Sequence, residues 1–356
     1  MTGPLADMSV VEISDLDSVA YAGMVLGQLG ARVSRLAAAT QASEGGAAPP
    51  VSAAAPASAS ARTSAAAEFF NGSKQIVLLD HSDQESLAAV RSAITAADVV
   101  VADQLTLAAL GLELPPRRSG QLRVFVGPYG GDPAVAAPSS ALSRLHSGTT
   151  GYLVPADADT SARPAWPGPY LFECVHGVGI ALAVVAEAAR PEGGDVDYSL
   201  QAYGVWLDKL LFSRTSARGV TFHRNTAVYP YGGNLECADG YVAMFIIEER
   251  QWHGLCRMIG KPEWLDDERF ANGVLRSANR EPIAEALNAW CRARPVATVL
   301  EATGAADVPA GLVRRPSEVL EAPTLLDRDF FLTRNIGGRS VRSPGLPFGP
   351  GLRAEY

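Results

Sequence analysis

A chain of 356 residues, 47% of them hydrophobic, can bury a large core, and its length fits two domains better than one small unit. Its formal charge of -8 argues against nucleic acid or an anionic membrane face as the main partner, although a few local Arg or Lys side chains can still hold an anionic ligand. The cysteines, Cys174, Cys237, Cys256 and Cys291, show no paired spacing, which argues against a disulfide framework or a structural zinc site. No run of eighteen apolar residues reads as a membrane span, and MTGPLADMSVVEISD lacks the basic-then-apolar order of a signal peptide. A cytoplasmic protein without membrane contact is expected.

Residues 9–13, SVVEI, predict a strand. A helix-like stretch from Ala20 to Leu29 follows, and Gly30 turns the chain into the apolar and basic RVSRL. Strand, helix and strand within about thirty residues predict a parallel sheet. No GxGxxG follows the first strand, which weakens a nicotinamide-binding reading. Residues 37–68, rich in Ala, Ser, Pro and Gly, read as a loop or excursion with little to bury. Order resumes with a strand at QIVLLD (75–80), a helix from Ser82 to Ala97, and strands at VVVA from Val99 and LRVFVG (122–127). His176 to Ala189 reads as a buried helix, GGDVDYSL as a turn, and Leu200 to Phe212 as another helix. YVAMFII is strand-like, and Gln251–Ile259, Arg280–Arg292 and Ala297–Thr303 read as helices of a smaller domain. The last segment, with IGG and SPGLPFGP, reads as a loop-rich return path.

The order of these segments resembles the family III CoA-transferases, which also include the α-methylacyl-CoA racemases. LGQLGARVSRL is similar to the family's opening helix, turn and basic strand, NGSKQIVLLD to its N-x-x-K stretch, and AADVVVAD to the segment that usually ends in Glu-Asn. PAWPGPYLFECVHG (164–177) resembles the segment carrying the catalytic carboxylate, and GGDVDYSLQAYG follows at the usual distance. ADGYVAM, the long RQWHGLCRMIGKPEWLDDERFANGVLRSANRE, VPAGLV and SEVLEAP complete the order. The resemblance implies a large doubly wound parallel-sheet α/β domain plus a smaller α/β domain, in an interlocked homodimer. The corresponding boundaries are 1–205 for the N-terminal part of the large domain, 206–325 for the smaller domain and 326–356 for the return.

It also implies a chemistry. The partners are an acyl-CoA thioester and a carboxylic acid, with CoA as substrate and no tightly bound cofactor. A carboxylate attacks the thioester, becomes acylated, and hands CoA to the acceptor acid. The matching residue here is Glu173. It keeps the carboxylate and adds a methylene to the family's aspartate, which moves the reacting oxygens by roughly 1 to 1.5 Å on an unchanged backbone. A carboxylate at the threshold of a helix is equally able to accept backbone N–H groups. Contacts to CoA fall by position on Arg32, Arg35, Lys74, Asp103, Tyr129 and Arg144, with solvated surface charge as the plain alternative. In the racemase branch a histidine works opposite the carboxylate. PSSALSRLHSG (138–148) lacks it at the matching position, leaving His146 or His176 as substitutes. Transferase, α-proton chemistry, and a family fold redirected to another reaction or to binding all remain open at this level.

Overall fold

The computed structural model describes residues 3–38, 68–130, 170–207, 213, 216–217, 231–336 and 338–347. The chain divides into two compact units, Met1–Arg224 with Arg328–Tyr356, and Asn225–Asp327. No helix among the described residues is long and apolar enough to cross a membrane.

The first unit is built on β1 (Ser9–Ile13), α1 (Asp17–Gln28), β2 (Arg32–Ala38), β3 (Gln75–Leu79), α2 (Gln84–Ala96), β4 (Val99–Ala102), α3 (Gln104–Ala109), β5 (Leu122–Gly127), α4 (Leu171–Glu187), β6 (Gly194–Ser199) and α5 (Leu200–Leu207). Six strands form one sheet in the order β3-β2-β1-β4-β5-β6, and every pair is parallel. Because side chains alternate across a strand, the two faces collect separate cores. Val10, Val33, Val101 and Val124 pack with Val19 and Leu26 of α1 and with Ile180 and Val184 of α4. Val11, Leu36 and Val100 pack on the other side with Val90 and Ile94 of α2 and Leu107 of α3. Helices on both faces make this a doubly wound sheet. Its strand order reverses between β1 and β4, the place where such sheets open a crevice at their carboxyl edge.

Two expectations change. GGDVDYSL is not only a turn: Gly194–Ser199 is the sixth strand, paired with β5 from Leu122↔Gly194 to Gly127↔Ser199. Asp195 and Asp197 are exposed there while Tyr198 is buried, the alternation of a charged sheet edge. The last segment is not only loop: β10 (Phe331–Ile336) and β11 (Arg339–Pro344) form an antiparallel hairpin within the first unit. The Arg334 guanidinium lies 5.4 Å from the Phe69 ring centre. Most of the 37–68 excursion and residues 208–212 of the expected long helix lie outside the described residues.

α1 and α4 pack side by side, and a glycine sets how closely. A Cβ on Gly177 would stand 2.8 Å from the Ser18 carbonyl oxygen and 2.7 Å from Cδ1 of Tyr21. Gly177→Ala is therefore expected to push the helices apart and destabilise the fold by about 1–3 kcal/mol, read as a lower denaturation midpoint.

The second unit carries a three-stranded antiparallel sheet of β7 (Gly232–Glu236), β8 (Tyr241–Phe245) and β9 (Ala310–Leu312). Against it lie α6 (Glu249–Met258), α7 (Gly273–Ala278), α8 (Arg280–Arg292) and α9 (Val296–Ala305), followed by the short α10 (Pro316–Val319) and α11 (Pro323–Leu326). Trp252, Phe270, Ile283 and Leu287 fill its core. The Arg276 guanidinium lies 4.8 Å from the Trp252 ring centre and makes two 2.6 Å bonds to Glu249. Cys237 and Cys291, far apart in sequence, meet in this core as hydrogen-bonded free thiols, and burial pushes Cys291 up to about 12. Gly232 and Gly233 both have positive φ, and a Cβ on Gly232 would press on the Met244 carbonyl, so a backbone requirement accounts for that residue.

Candidate active site

In a parallel sheet each helix that follows a strand starts at the carboxyl edge. α1 follows β1 directly. α4 ends next to the amino end of β6, so its own N-terminus also lies at the carboxyl edge. The positive ends of two neighbouring helices therefore meet there. Glu173 stands in the first turn of α4 and Asp17 in the first turn of α1. α4 begins at Leu171 rather than at His176, which places Glu173 inside the helix instead of before it.

Glu173 is partly buried, and its Oε2 is shielded from solvent. Asp17 is exposed to solvent at the start of α1, with protein packed around part of its carboxyl. This crowding and the negative charge of Glu173 push the Asp17 carboxyl up to about 6, against an opposing pull from Arg35 and with a further push from Asp15. Arg35 projects from β2, is buried, and binds Asp15 at 3.2 Å. Its Nε–H is buried with no acceptor among the described residues. Cys174, next to Glu173, is pushed up to about 11 by burial and by the Glu173 and Asp17 charges, so its thiol stays protonated at neutral pH.

The start of α4 is held by an unusual backbone. Tyr170 has φ 69°, a left-handed conformation that a bulky residue adopts only under constraint. The constraint is visible. Its ring packs edge-on against Phe70 at 5.6 Å, Phe70 packs against Tyr21 at 5.9 Å, and Ala20 and Met24 of α1 close the cluster. This aromatic patch joins the beginnings of α1 and α4 through residues 68–71, so the two acidic first turns are fixed together.

The residues expected to contact CoA separate into groups. Arg35 lies beside the Asp17–Glu173 region. Asp103 and Tyr129 stand at the carboxyl ends of β4 and β5, on the same edge of the sheet. Asp103 is a helix cap, however: one oxygen accepts the Thr106 N–H at 2.8 Å and the other the Thr106 hydroxyl at 2.7 Å. Asp103→Ala is expected to cost about 0.5–2 kcal/mol through loss of this cap, measured by chemical denaturation.

Two residues do not serve as surface cations at this edge. Arg32 is the first residue of β2, at the amino edge of the sheet, and donates to the Ala6 carbonyl at 3.0 Å. Lys74 is buried, with its ammonium bonded to both Glu12 oxygens at 3.0 and 2.8 Å and to the Ala20 carbonyl at 2.7 Å. An ammonium has three donors, and all are used inside the protein. Arg144 and His146 lie outside the described residues. His176 is buried, with its ring 5.2 Å from Tyr203 and its carbonyl accepting from the Tyr198 hydroxyl at 3.4 Å.

The sequence reading missed Asp15 and Asp17. The signal was present: ISDLDS places two acids between an apolar strand and a helix, which in a parallel sheet is the carboxyl edge.

Residues 5–350 match the model of CoA-transferase family III. The chain belongs to that family. It is 31% identical over 187 residues to a probable CoA-transferase of Mycobacterium tuberculosis, a match covering 49% of this chain and 23% of that protein. It is 23% identical over 353 residues to a succinate–glutarate CoA-transferase of Agrobacterium fabrum, covering 91% and 84% of the two chains. The chain thus spans about a quarter of the mycobacterial relative and most of the Agrobacterium one. Among solved structures, Rv3272 of M. tuberculosis superposes with a TM-score of 0.75 at 20% identity, over 98% of this chain and 93% of that one. A CAIB/BAIF family protein of Brucella suis gives 0.72 at 18% identity, over 98% and 93%. These likenesses agree on the fold, a large parallel-sheet α/β domain included.

Proposed function

We propose that the protein transfers CoA from an acyl-CoA thioester to a carboxylic acid through acylation of Glu173. The observation that carries this reading is the position of the Glu173 carboxylate, in the first turn of α4 at the carboxyl edge of the sheet, beside the N-terminus of α1. One carboxylate oxygen attacks the acyl carbonyl, the C–S bond breaks, and CoA leaves as thiolate. The thiolate attacks the glutamyl carbonyl of the mixed anhydride, releasing the acyl group as a free acid and leaving a glutamyl-CoA thioester. The acceptor carboxylate attacks that thioester and expels the thiolate. The thiolate then takes the new acyl group and restores Glu173. Each step needs a carboxylate that is both nucleophile and leaving group, which Cys174, held as a thiol, does not supply.

Helix N-termini at this edge favour the negative charge that builds on oxygen during each attack. Arg35, with its spare Nε–H, is the strongest of the expected contacts for an anionic part of the ligand. Tyr129, exposed at the end of β5, is a second. α-Proton chemistry is the weaker reading because His176, the described histidine closest in sequence to Glu173, is buried against Tyr203 instead of facing a substrate. Association as an interlocked homodimer goes with family membership and is read by light scattering. The test of the reaction is exchange of labelled acid into acyl-CoA, with succinyl-CoA and glutarate as the first pair because of the Agrobacterium relative's name. Exchange without α-deuterium uptake from solvent supports transfer. Uptake without exchange replaces it with proton chemistry.

A further inference from the structure

α4 opens without a capping side chain, so its first turn is fixed by other means. The Cys174 N–H donates to the Tyr170 carbonyl at 2.9 Å, and Glu173 lies between these two residues. Tyr170 is also the residue held at φ 69°, a state that persists only where its surroundings over-determine it. What holds the Tyr170 ring therefore holds the turn that carries Glu173.

The holding contacts run outward from that ring. Tyr170 meets Phe70 at 5.6 Å, and Phe70 meets Phe69 at 5.5 Å, both edge-on. Phe70 is buried, whereas Phe69 is half-buried and forms the outer end of the cluster. Residues 68–71 make one helical turn, with the Gly72 N–H donating to the Glu68 carbonyl at 2.7 Å. The inner end of this turn is tied to the sheet through Lys74. Its N–H donates to the Asn71 carbonyl at 2.9 Å, and its ammonium is buried against Glu12.

The outer end is met by Arg334 of β10, 265 residues from Phe69 in sequence. Its guanidinium lies 5.4 Å from the Phe69 ring centre, and an Nη1–H donates to the Phe69 carbonyl at 3.5 Å. One half-buried cation thus holds both the ring and the backbone of the same residue.

We propose that Arg334 is a positioning residue for acylation. By bracing Phe69 it keeps Phe70 against Tyr170, and so keeps the first turn of α4 and Glu173 in their reacting place. Arg334 acts through three aromatic residues and not on the reacting atoms. The role rests on Glu173 being the acylated group. It also gives the C-terminal hairpin a task beyond returning the chain to the first unit.

The experiment compares Arg334→Met, which keeps a long stem without charge or donors, with Arg334→Lys, which keeps a cation and a donor. In Arg334→Met the single-turnover rate of Glu173 acylation is expected to fall about tenfold, since a shift well below 1 Å is enough. KM for acyl-CoA should stay within about twofold. Arg334→Lys should recover part of the lost rate. Amide hydrogen exchange supplies a readout independent of activity: the Cys174 N–H, bonded to Tyr170, should exchange about tenfold faster in Arg334→Met. A raised KM with an unchanged acylation rate overturns the proposal, because Arg334 would then bind the ligand. A lower denaturation midpoint with unchanged rate and exchange also overturns it, leaving only support of the fold. So does an Arg334→Lys variant as slow as Arg334→Met. Faster Cys174 exchange in a protein that is never acylated removes the Glu173 reading and leaves the brace on α4 standing.

Discussion

Glu173→Gln is expected to lower acyl exchange by at least about a thousandfold, because loss of a covalent nucleophile removes the whole two-stage route. The glutamine keeps the shape and much of the hydrogen bonding of the first turn of α4, so folding and the denaturation midpoint should change little. Glu173→Asp asks a finer question. It restores the family's shorter side chain but withdraws the oxygens by roughly 1 to 1.5 Å, enough for about a hundredfold loss in a cleft shaped for glutamate. The Tyr170 conformation and its aromatic anchoring fix the start of α4, so the backbone has little freedom to follow the shorter side chain. A Glu173→Asp variant faster than the natural protein would show that the cleft is still shaped for aspartate. Steady-state kcat/KM with the same acyl-CoA and acid reads all three proteins.

Lys74→Met is expected to destabilise the first unit by about 3–5 kcal/mol. Glu12 and Lys74 are both buried, and burial raises the Glu12 carboxyl and lowers the Lys74 ammonium despite their mutual attraction. Each ion is tolerable only because the other is present. Removing the ammonium strands a carboxylate pressed against Gly23 and releases the Ala20 carbonyl of α1. The double variant Glu12→Gln/Lys74→Met should recover much of the loss, since replacing a whole buried pair is far milder than breaking it. Chemical denaturation of the four proteins closes the cycle. Equal losses in the single and double variants would mean that packing around the lysine stem, not the ion pair, holds this place.

Much of the scaffold was legible because its signals are local. SVVEI, RVSRL, QIVLLD and LRVFVG all became parallel strands, and Arg280–Arg292 was read to the residue, its apolar positions recurring at helical spacing. Weaker signals were passed over. Gly194–Ser199 is a short edge strand whose alternation of Asp195, Val196, Asp197 and Tyr198 stands behind the turn signal of its glycines, and the Gly337-Gly338 pair between Ile336 and Arg339 is a short-hairpin signature left unread. The start of α4 was placed five residues late, since FECV before His176 carries no capping side chain and the helix opens instead on a strained Tyr170.

The site was less legible for a different reason. Lys74 looks like a solvent-facing cation in NGSKQ, and only the fold reveals its partner Glu12, sixty-two residues away. Asp17 reads as an ordinary first-turn acid of α1. Only the fold shows that the helix carrying Glu173 starts beside α1, in close contact at Ser18 and Gly177. Charge pairs of this kind depend on which helices end at one edge, and sequence spacing does not carry that information.

The measurement closest to the central claim is intact-protein mass spectrometry after mixing the purified protein with a panel of acyl-CoAs, followed by peptide mapping. Acylation of Glu173 predicts an adduct with the mass of CoA or of the acyl group on the peptide containing YLFECVHG, present in the natural protein and missing from Glu173→Gln. No adduct in either protein, under conditions where acyl exchange is running, would contradict it.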